Sequence, residues 1–545
     1  MPRVPLIQGA YEARGVIANA QRCVNLVPEP LPQDAPFPTF HFPASGLAIF
    51  ADYTGTYSGY VRGFYWSSAY NQTYAVIGSS LIMLLGWYDT TGLFVGDVGN
   101  SGNPISMVDN GTTMMVVDGT AVAPGASGPP PTGGWTFALA NPAGTFAAIT
   151  DPGFYGANRV DFIDTFFVLN WPGTPTFYQS LSNSATFTDP SLGTFFAEKT
   201  GYSDNLISIA ALHDNIWLLG AVTSEVWFDA GTAGLSFMRM PNSVIQQGCI
   251  APYSVVVSDN GLYWLSQDRW GRAILMRGEG YMARRVSNFA IENEWANYVI
   301  VSDCIAMGYQ MAGHPIVLLY FPTANASWAY DASTNMWHRR SYGDDVTAWL
   351  PYCTGYWGAT VVGTGSPNFG IENVVLVGDR TAPRILYMDR HEYTDVGVPI
   401  QRIRSWPHIL NDQKRASHAQ FAAALQPLLD PDPPAPPPAP TEGTAWDASP
   451  WDTGAWDAAG TSPPAPAPPP NGSAYSVNLR WSDDGGQTFG NYVPQTVLNG
   501  WPQTYGQYSW RRLGLCRDRV YELSWTSPVE TCLNGAWVEI VPSQT

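Results

Sequence analysis

The stretch ISMVDNGTTMMVVDG at residues 105–119 is the pattern on which the fold prediction rests. Two apolar runs rich in Val and Met flank a short Asp-Asn-Gly turn, and this combination is typical of a β-hairpin. The pattern returns as VDFIDTFFVLNWPG at residues 160–173 and as VVVSDNGLYWLSQD at residues 255–268. The turn aspartates of the series recur about every 50 residues, at Asp109, Asp164, Asp214 and Asp259.

Hairpins repeated at this interval are typical of a β-propeller, in which each blade is a sheet of about four strands. A similar segment at residues 61–78 precedes the series, and hairpins near Gly313 and Asp379 follow it, so six or seven units fit. We predict a mainly β protein with a six-bladed propeller and an additional β platform or sandwich domain. A row of separate β-sandwiches built from similar hairpins is the alternative.

The pattern divides the chain into five segments. Residues 1–54 are an N-terminal segment that packs on the platform or the propeller, and residues 55–400 are the propeller body. Residues 401–426 are a connector, 427–470 an acidic Pro-rich insertion, and 471–545 the C-terminal β platform domain. Helical spacing of apolar residues predicts one helix at 284–299, with Ser287 as its N-cap, and a short one in the connector at 413–425.

The composition favours β structure and excludes several classes of protein. Charged residues make up 13% of the 545 residues, about half the roughly 25% of an average soluble domain. Gly, Pro, Trp and Tyr are abundant, whereas a helical bundle would need more Ala, Leu, Glu and Lys. The formal net charge is −18, so we do not expect nonspecific binding to nucleic acid, which depends on clustered Lys and Arg.

We predict neither a signal peptide nor a membrane-spanning segment, because the apolar runs are too short for either. The six cysteines form no CxxC pair and are too few for a disulfide framework in a chain of this length. We therefore expect them to be reduced and mostly buried. Cys516 and Cys532 share the C-terminal region and could pair, which the sequence leaves open.

The insertion at 427–470 contains 15 prolines, six acidic residues and no basic residue, so it should be extended and solvated. Within it, Trp-Asp occurs three times at intervals of five residues. Exposed tryptophans are costly unless they pack on something. Two interpretations stay open, a docking strip for a partner or packing on the same subunit; the residues are Trp446, Trp451 and Trp456.

The segment SDDGGQTF matches an Asp-box, a hairpin motif with an acceptor carboxylate, a turn glycine and an aromatic residue. Its members are Ser482, Asp484, Gly486, Thr488 and Phe489. We interpret it as a structural turn. No phosphate loop, zinc-protease motif or nucleophile elbow occurs, and the seven His residues lack metal-ligand spacing. We therefore predict no catalytic, cofactor-binding or metal site.

Many collinear segments resemble the packaged-DNA stabilisation, or tail nozzle, proteins of short-tailed phages. The resemblance runs from about residue 20 to 540, and the Pro-rich insertion departs from it. Its segments include QRCVNLVPEP at 21–30, SMVDNGTTMMVVDG at 106–119, VDFIDTFFVLN at 160–170, QQGCIAPYSVV at 246–256, WAYDASTNMWHRR at 328–340 and DDGGQTF at 483–489.

The resemblance implies a virion protein without enzymatic activity, made in the bacterial cytoplasm. Six copies would form a tube below the portal and its adaptor ring. The tube would retain packaged double-stranded DNA without reading its sequence, conduct it on ejection, and carry tailspikes, fibres or a tip plug. Because basic walls would hinder passage, we expect an acidic or weakly charged lumen. The alternative function is a carbohydrate-active or glycan-binding propeller of the sialidase type, which the Asp-box and the aromatic residues favour.

Overall fold

The computed structural model describes residues 3–4, 9–124, 132–139, 145–358, 374–410, 414–427, 475–497, 506–527 and 530–542. Nearly all of the Pro-rich insertion, including Trp446, Trp451 and Trp456, lies outside these ranges. The two interpretations of its tryptophans therefore stay open. Within the described ranges the protein is almost entirely β.

The N-terminal segment supplies short strands to two different parts of the molecule. Six of them belong to or flank the platform, and the seventh joins the propeller. They are β1 (Arg3–Val4), β2 (Tyr11–Glu12), β3 (Ala20–Gln21), β4 (Cys23–Val24), β5 (Leu26–Pro30), β6 (Thr39–Pro43) and β7 (Gly46–Asp52).

The body of the chain folds into consecutive antiparallel sheets, the blades of a β-propeller. Blade 1 contains β8 (Val61–Ser67), β9 (Gln72–Ile77), β10 (Ser80–Met83) and β11 (Leu93–Asp97); blade 2, β12 (Ser106–Asp109), β13 (Thr113–Val117), β14 (Gly134–Ala138) and β15 (Phe146–Ala148); blade 3, β16 (Val160–Ile163), β17 (Phe166–Asn170), β18 (Thr176–Gln179), β19 (Thr188–Asp189) and β20 (Gly193–Glu198); blade 4, β21 (Leu206–Leu212), β22 (Asn215–Gly220), β23 (Ser224–Asp229) and β24 (Phe237–Arg239).

The other three blades include one helix, and the last of them takes only three strands from this part of the chain. Blade 5 contains β25 (Val256–Ser258), β26 (Gly261–Gln267), β27 (Ala273–Glu279) and β28 (Met282–Arg285), followed by α1 (Phe289–Trp295); blade 6, β29 (Ile305–Met311), β30 (His314–Phe321), β31 (Ala326–Asp331) and β32 (Met336–Arg340); blade 7, β33 (Pro351–Trp357), β34 (Val374–Asp379) and β35 (Arg384–Asp389).

The prediction of six blades was wrong, because the described residues form seven. Residues 351–389 supply three strands to blade 7, and its outer strand is β7 from the N-terminal segment. β7 runs antiparallel to β35, with Leu47 opposite Met388 and Gly46 opposite Asp389. The hairpin near Asp379 belongs to this blade, so the sequence series of six or seven units already contained it; what the series did not show is that the fourth strand comes from the N-terminal segment. Closing the ring in this way ties the start of the propeller to its end.

Contacts between neighbouring innermost strands close the ring. β33 of blade 7 packs beside β8 of blade 1, and the Thr73 hydroxyl donates to the Tyr356 carbonyl across this junction at 3.2 Å. Similar hydrogen bonds join other neighbours, from Ile105 N to the Arg62 carbonyl and from Thr354 Oγ1 to the Gly308 carbonyl. The inner strands therefore surround a common axis.

Of the eleven remaining strands in the described ranges, the first two continue the blade 7 sheet beside β7, and the other nine form the platform. They are β36 (Thr394–Asp395), β37 (Val398–Pro399), β38 (Arg402–Ser405), β39 (Ile409–Leu410), β40 (Ala416–Pro427), β41 (Tyr475–Ser482), β42 (Val493–Val497), β43 (Gly506–Arg511), β44 (Leu515–Cys516), β45 (Asp518–Trp525) and β46 (Thr531–Pro542). One platform sheet has the order β43-β40-β46-β6-β5, and the other has β4-β38-β45-β41-β42.

The second platform sheet is continuous with the propeller. β4 pairs on one side with β32, the outer strand of blade 6, and on the other side with β38. Apolar side chains of both platform sheets share one core with blades 5 and 6, and this core includes Trp406, Trp525 and Trp337. The N-terminal segment thus packs on both bodies, and the platform is a β-sandwich fused to the blade 6 sheet.

Two helix predictions need correction. The observed helix is α1, and its N-cap is Asn288, whose side chain accepts from the backbone of Ala290 and Ile291. Ser287 instead accepts the Leu275 N–H and donates to Glu292. The helix predicted at 413–425 is wrong, because the described part is strand β40, hydrogen-bonded on both sides. Its alanines allow a helix locally, but burial between two strands overrides that preference.

All six cysteines lie in described parts of the chain, and none forms a disulfide. Five of them are buried, as predicted from their number and spacing. Cys516 and Cys532 are separate free thiols, in β44 and β46. No helix in the described ranges is long and apolar enough to cross a membrane.

Candidate functional site

The propeller axis holds a cavity of about 760 Å³ that the innermost strands line. Glycines at the wall permit the close approach of these strands. A Cβ on Gly63 would lie 3.0 Å from the Ile105 carbonyl of the next blade, which is tighter than ordinary van der Waals contact. A volume of this size accommodates a small molecule, so the axial cavity of a single subunit has no room for a DNA duplex.

Two arginines and one carboxylate of the cavity wall, Arg62, Arg159 and Asp161, make several hydrogen bonds to neighbouring segments. Arg62 is 1% exposed and donates to the carbonyls of Gly78, Gly99 and Asn103 at 2.6–2.9 Å. Arg159 donates to the Val255 carbonyl at 2.7 Å and pairs with Asp161 at 3.2 Å.

The Asp161 carboxylate has a second partner in the next blade. It accepts the backbone N–H of Ala211 in blade 4 at 2.9 Å. This contact explains why an acidic residue points toward the axis without a free role there. Asp161 thus links blade 3 to blade 4 at the cavity wall.

Four acidic residues lie on one face of the propeller, and we call them the acidic rim. Each lies at the end of the innermost strand of its blade or in the turn that follows it, so all four lie at the same end of the axis. They are Asp109, Asp164, Asp214 and Asp259. The sequence pattern thus detected a shared face without revealing that its members are neighbours around a ring.

The acidic rim concentrates negative charge. Asp164, Asp214 and Asp259 are exposed, and Arg277 approaches Asp259 at 3.2 Å. Partial burial raises the pKa of the Asp164 carboxyl, and the negative charges of Asp229 and Asp214 add to this effect. Like charges close enough to perturb one another make this face a source of negative potential.

The Asp-box residues come together in the turn after β41. The Asp484 carboxylate accepts the backbone N–H groups of Gln487 and Thr488 at 3.0 and 2.9 Å. The hydroxyls of Ser482 and Thr488 also donate to it. These hydrogen bonds lower the pKa of the Asp484 carboxyl. All of these hydrogen bonds lie within one turn, so Asp484 stabilises the conformation of that turn.

This turn lies on the platform, where it packs against the N-terminal segment. A Cβ on Gly486 would lie 2.8 Å from the Cβ of Ala20, and one on Gly485 3.3 Å from Ile17. The guanidinium of Arg480 lies 4.8 Å from the ring centre of Phe489. The Asp-box therefore helps to fix residues 16–20 on the platform, and it does not face the propeller axis.

A buried ion-pair cluster joins three parts of the chain that sequence reasoning did not connect. The Glu522 side chain is fully buried and pairs with Arg480 at 2.5 Å and with Arg22 at 3.1 Å. Arg22 also reaches Asp345 after blade 6, at 2.5 Å. Burial alone would lower the pKa of Arg22, but Glu522 and Asp345 outweigh it and raise that pKa.

Among the described residues, no group of three His, Cys, Asp or Glu side chains is arranged to hold a metal ion. The candidate site is a set of surfaces and junctions. Its parts are the acidic rim, the axial cavity and the platform junction around Glu522.

Comparison with known proteins gives one strong match. The family model described as "Bacteriophage P22 Gp10, beta-propeller" matches residues 2–392. These residues contain every propeller strand, including β7. No curated protein matches the chain.

Solved structures give distant likenesses. The extracellular domain of a putative one-component system from B. thetaiotaomicron is 11% identical, covering 63% of this chain and 39% of its own, with a TM-score of 0.39. An auxiliary nutrient binding protein from Bacteroides thetaiotaomicron VPI-5482 is 8% identical, covering 61% of this chain and 69% of its own, with a TM-score of 0.31. This chain thus spans about two fifths of the first structure, and neither likeness carries a functional argument.

Proposed function

Since the chain belongs to the phage packaged-DNA stabilisation family of P22 Gp10, we propose that it forms the nozzle of a short phage tail. In this role it retains the packaged genome below the portal and adaptor and conducts it on ejection. The single observation that carries the proposal is the family match over residues 2–392. The seven-bladed body supplies a continuous wall, because the innermost strands of neighbouring blades contact one another all around the ring.

The size of the axial cavity in one subunit supports an assembly of several copies. A cavity of about 760 Å³ is of the size that holds a small ligand. Double-stranded DNA must therefore pass between copies and not through one propeller. We propose a ring of six copies around the duplex, seated on the adaptor and carrying tailspikes, fibres or a plug.

The charge of the subunit suits a wall that contains DNA without gripping it. The formal net charge is −18, and the acidic rim gathers like charges on one face. Tight Lys and Arg contacts to phosphates would hold the duplex in place, whereas a negative wall keeps it mobile. We propose that the acidic rim faces the lumen.

Exposed apolar side chains on blade 5 and α1 supply a surface for contact with other subunits or tail proteins. Four of them lie within residues 270–299 and are largely exposed: Trp270 at 89%, Met282 at 77%, Phe289 at 74% and Val299 at 90%. Trp270 lies in the turn before β27 and Met282 just after the other end of that strand, so these side chains spread over blade 5; exposed apolar side chains of this size are candidates for partner contacts. We propose that this group is covered in the assembled tail.

We propose that the protein has no enzymatic activity. Asp161 is committed to contacts between blades, and Asp484 is committed to its own turn. A screen on sialosides and bacterial polysaccharides should give no turnover. Robust turnover that one carboxylate substitution abolishes would instead support the carbohydrate-active alternative.

A conditional knockout in the phage tests the proposal. Heads that fill without this protein should lose their genome, which a nuclease then digests, and plasmid-borne wild-type protein should restore retention. Stable, infectious particles that lack the protein would contradict the proposed role. Particles that retain DNA but fail to eject it would contradict the retention function in particular.

A further inference from the structure

Two buried arginines meet where the N-terminal segment crosses from the platform to the propeller. Arg340 ends the outer strand of blade 6 and is 1% exposed, and Arg402 lies on platform strand β38 and is 0% exposed. The guanidinium of Arg340 stacks 3.7 Å from the ring centre of Trp349. It also donates to the Ser45 carbonyl at 2.9 Å. We call this place the arginine seam, formed by Arg340, Arg402, Trp349 and Asp395.

The arginine seam has more hydrogen-bond donors than acceptors. Within the described part of the chain, Nε, Nη1 and Nη2 of Arg402 and Nε and Nη1 of Arg340 find no hydrogen-bond partner, although all five are buried. Asp395 is 1% exposed, and its Oδ2 accepts the Trp349 indole N–H at 3.1 Å. The other oxygen, Oδ1, is also unpartnered, so it does not satisfy either guanidinium.

The charges of the arginine seam do not balance. The charged groups that act on Arg402 are Arg340 and Asp395, beside Tyr393 and Cys532. Burial raises the pKa of Tyr393 to about 12 and raises that of Cys532, so both are neutral at pH 7. Within the arginine seam, two guanidinium cations thus have one carboxylate, Asp395; the carboxylate of Glu392 acts on Asp395, and that of Glu530 acts on Tyr393 and Cys532. A buried charge without hydrogen bonds is strongly unfavourable unless something compensates it.

We propose that the arginine seam encloses one small monovalent inorganic anion, of the size of chloride or bromide, held by Arg402 and Arg340. One negative charge removes the excess of one positive charge, and a spherical acceptor can receive several N–H groups at once. The anion fastens blade 6 to the platform sheet at the point where strands β32, β4 and β38 adjoin.

Crystals of the full chain prepared with bromide in place of chloride test the location. The expected result is an anomalous bromide peak within hydrogen-bond distance of the Arg402 nitrogens and of Arg340. Density for water molecules alone, or an Asp395 carboxylate paired directly with Arg402, would overturn the proposal.

Equilibrium unfolding at constant ionic strength gives an independent test. One anion bound to the folded state lowers the unfolding constant tenfold for each tenfold rise in chloride above saturation, with gluconate as the replacement anion. R402M should abolish this dependence. R404M is the matched control, because Arg404 is buried on the same strand but donates to the Gly9 carbonyl and to Gln21. It should keep the chloride dependence; equal loss in both variants, or none in wild type, would refute the site.

Discussion

At the scale of single residues, Asp484 shows how one carboxylate can fix a segment that is distant in sequence. It organises the turn after β41, and that turn supports Ile17 and Ala20. D484A should therefore loosen residues 16–20, because the turn loses the acceptor of several hydrogen bonds. Hydrogen exchange of these residues measures the effect.

A matched control separates this role from a general loss of stability. Asp189 also accepts backbone N–H groups, from Ser191 and Leu192, but in blade 3. D189A should leave exchange at residues 16–20 unchanged. Equal protection of these residues in D484A and wild type would show that the Asp-box does not hold the N-terminal segment.

The His314–Asp331 pair should make the free energy of unfolding depend on pH. Burial alone would raise the pKa of Asp331, but hydrogen bonds from His314, Ser333 and Thr334 outweigh it and lower that pKa to about 2. The hydrogen bond to Asp331 raises the pKa of His314. The contribution of Asp331 to stability is present above about pH 4 and is lost as the pH falls toward 2. The contribution of His314 to stability is present below about pH 6.5 and is lost as the pH rises.

H314N should therefore cost about 1 kcal/mol near pH 5.5 and less near pH 9, after allowance for solvent screening. Urea unfolding at both pH values measures the difference. H213N is the control, because His213 is exposed at a turn with a φ of 53° that asparagine tolerates. A cost for H314N that grows with pH would contradict the assigned protonation states.

Single residues were predictable where the chemistry is local. The Asp-box and the turn aspartates were found because each motif lies within a few residues. Glu522 and its partner Arg22 were not found, because they are 500 residues apart in sequence. Nothing in the local sequence of an arginine shows which distant carboxylate it will meet.

At the scale of elements, β7 closes the propeller and should be the strand on which the ring depends most. Leu47 is fully buried, whereas Ile49 on the same strand is 37% exposed. L47A should destabilise the protein by about 2–5 kcal/mol because it leaves a cavity, and I49A should change stability by about 0.5 kcal/mol or less. Thermal or urea unfolding of both variants measures this.

Equal small effects of L47A and I49A would contradict a closing role for β7. The sequence series contained six or seven hairpins, and β7 is the part of the last blade that it missed. Periodicity along the chain detected the hairpins, but β7 precedes the first hairpin by position and completes the last blade by pairing. The helix prediction at 413–425 was wrong for a related reason, because pairing with β43 and β46 on either side makes this segment strand β40.

At the scale of the whole molecule, the blade 5 surface should govern assembly. W270S with F289S should leave the isolated subunit folded but reduce its incorporation into portal–adaptor complexes, because it removes exposed apolar contacts. L192S, on blade 3 and 66% exposed, is the control. Native mass spectrometry of reconstituted complexes reports the number of copies bound, and unchanged binding of the double variant would exclude this surface.

The acidic rim makes a separate prediction about DNA. D164K with D214K should create salt-dependent binding to double-stranded DNA and slow ejection, because lysines on that face attract phosphates. D34K with D97K, two exposed acids away from the rim, makes the same change in charge. Electrophoretic binding assays and ejection rates compare the two double variants. Identical DNA binding and ejection by both double variants would mean that the acidic rim does not face the duplex.

A subunit-resolved cryo-EM map of the phage tail tests the central claim most directly. It should show six copies of this chain in a ring below the adaptor, DNA density on the axis of the ring, and the acidic rim turned toward that density. A map with this chain outside the DNA path, or with a continuous arginine-lined lumen around the duplex, would contradict the account.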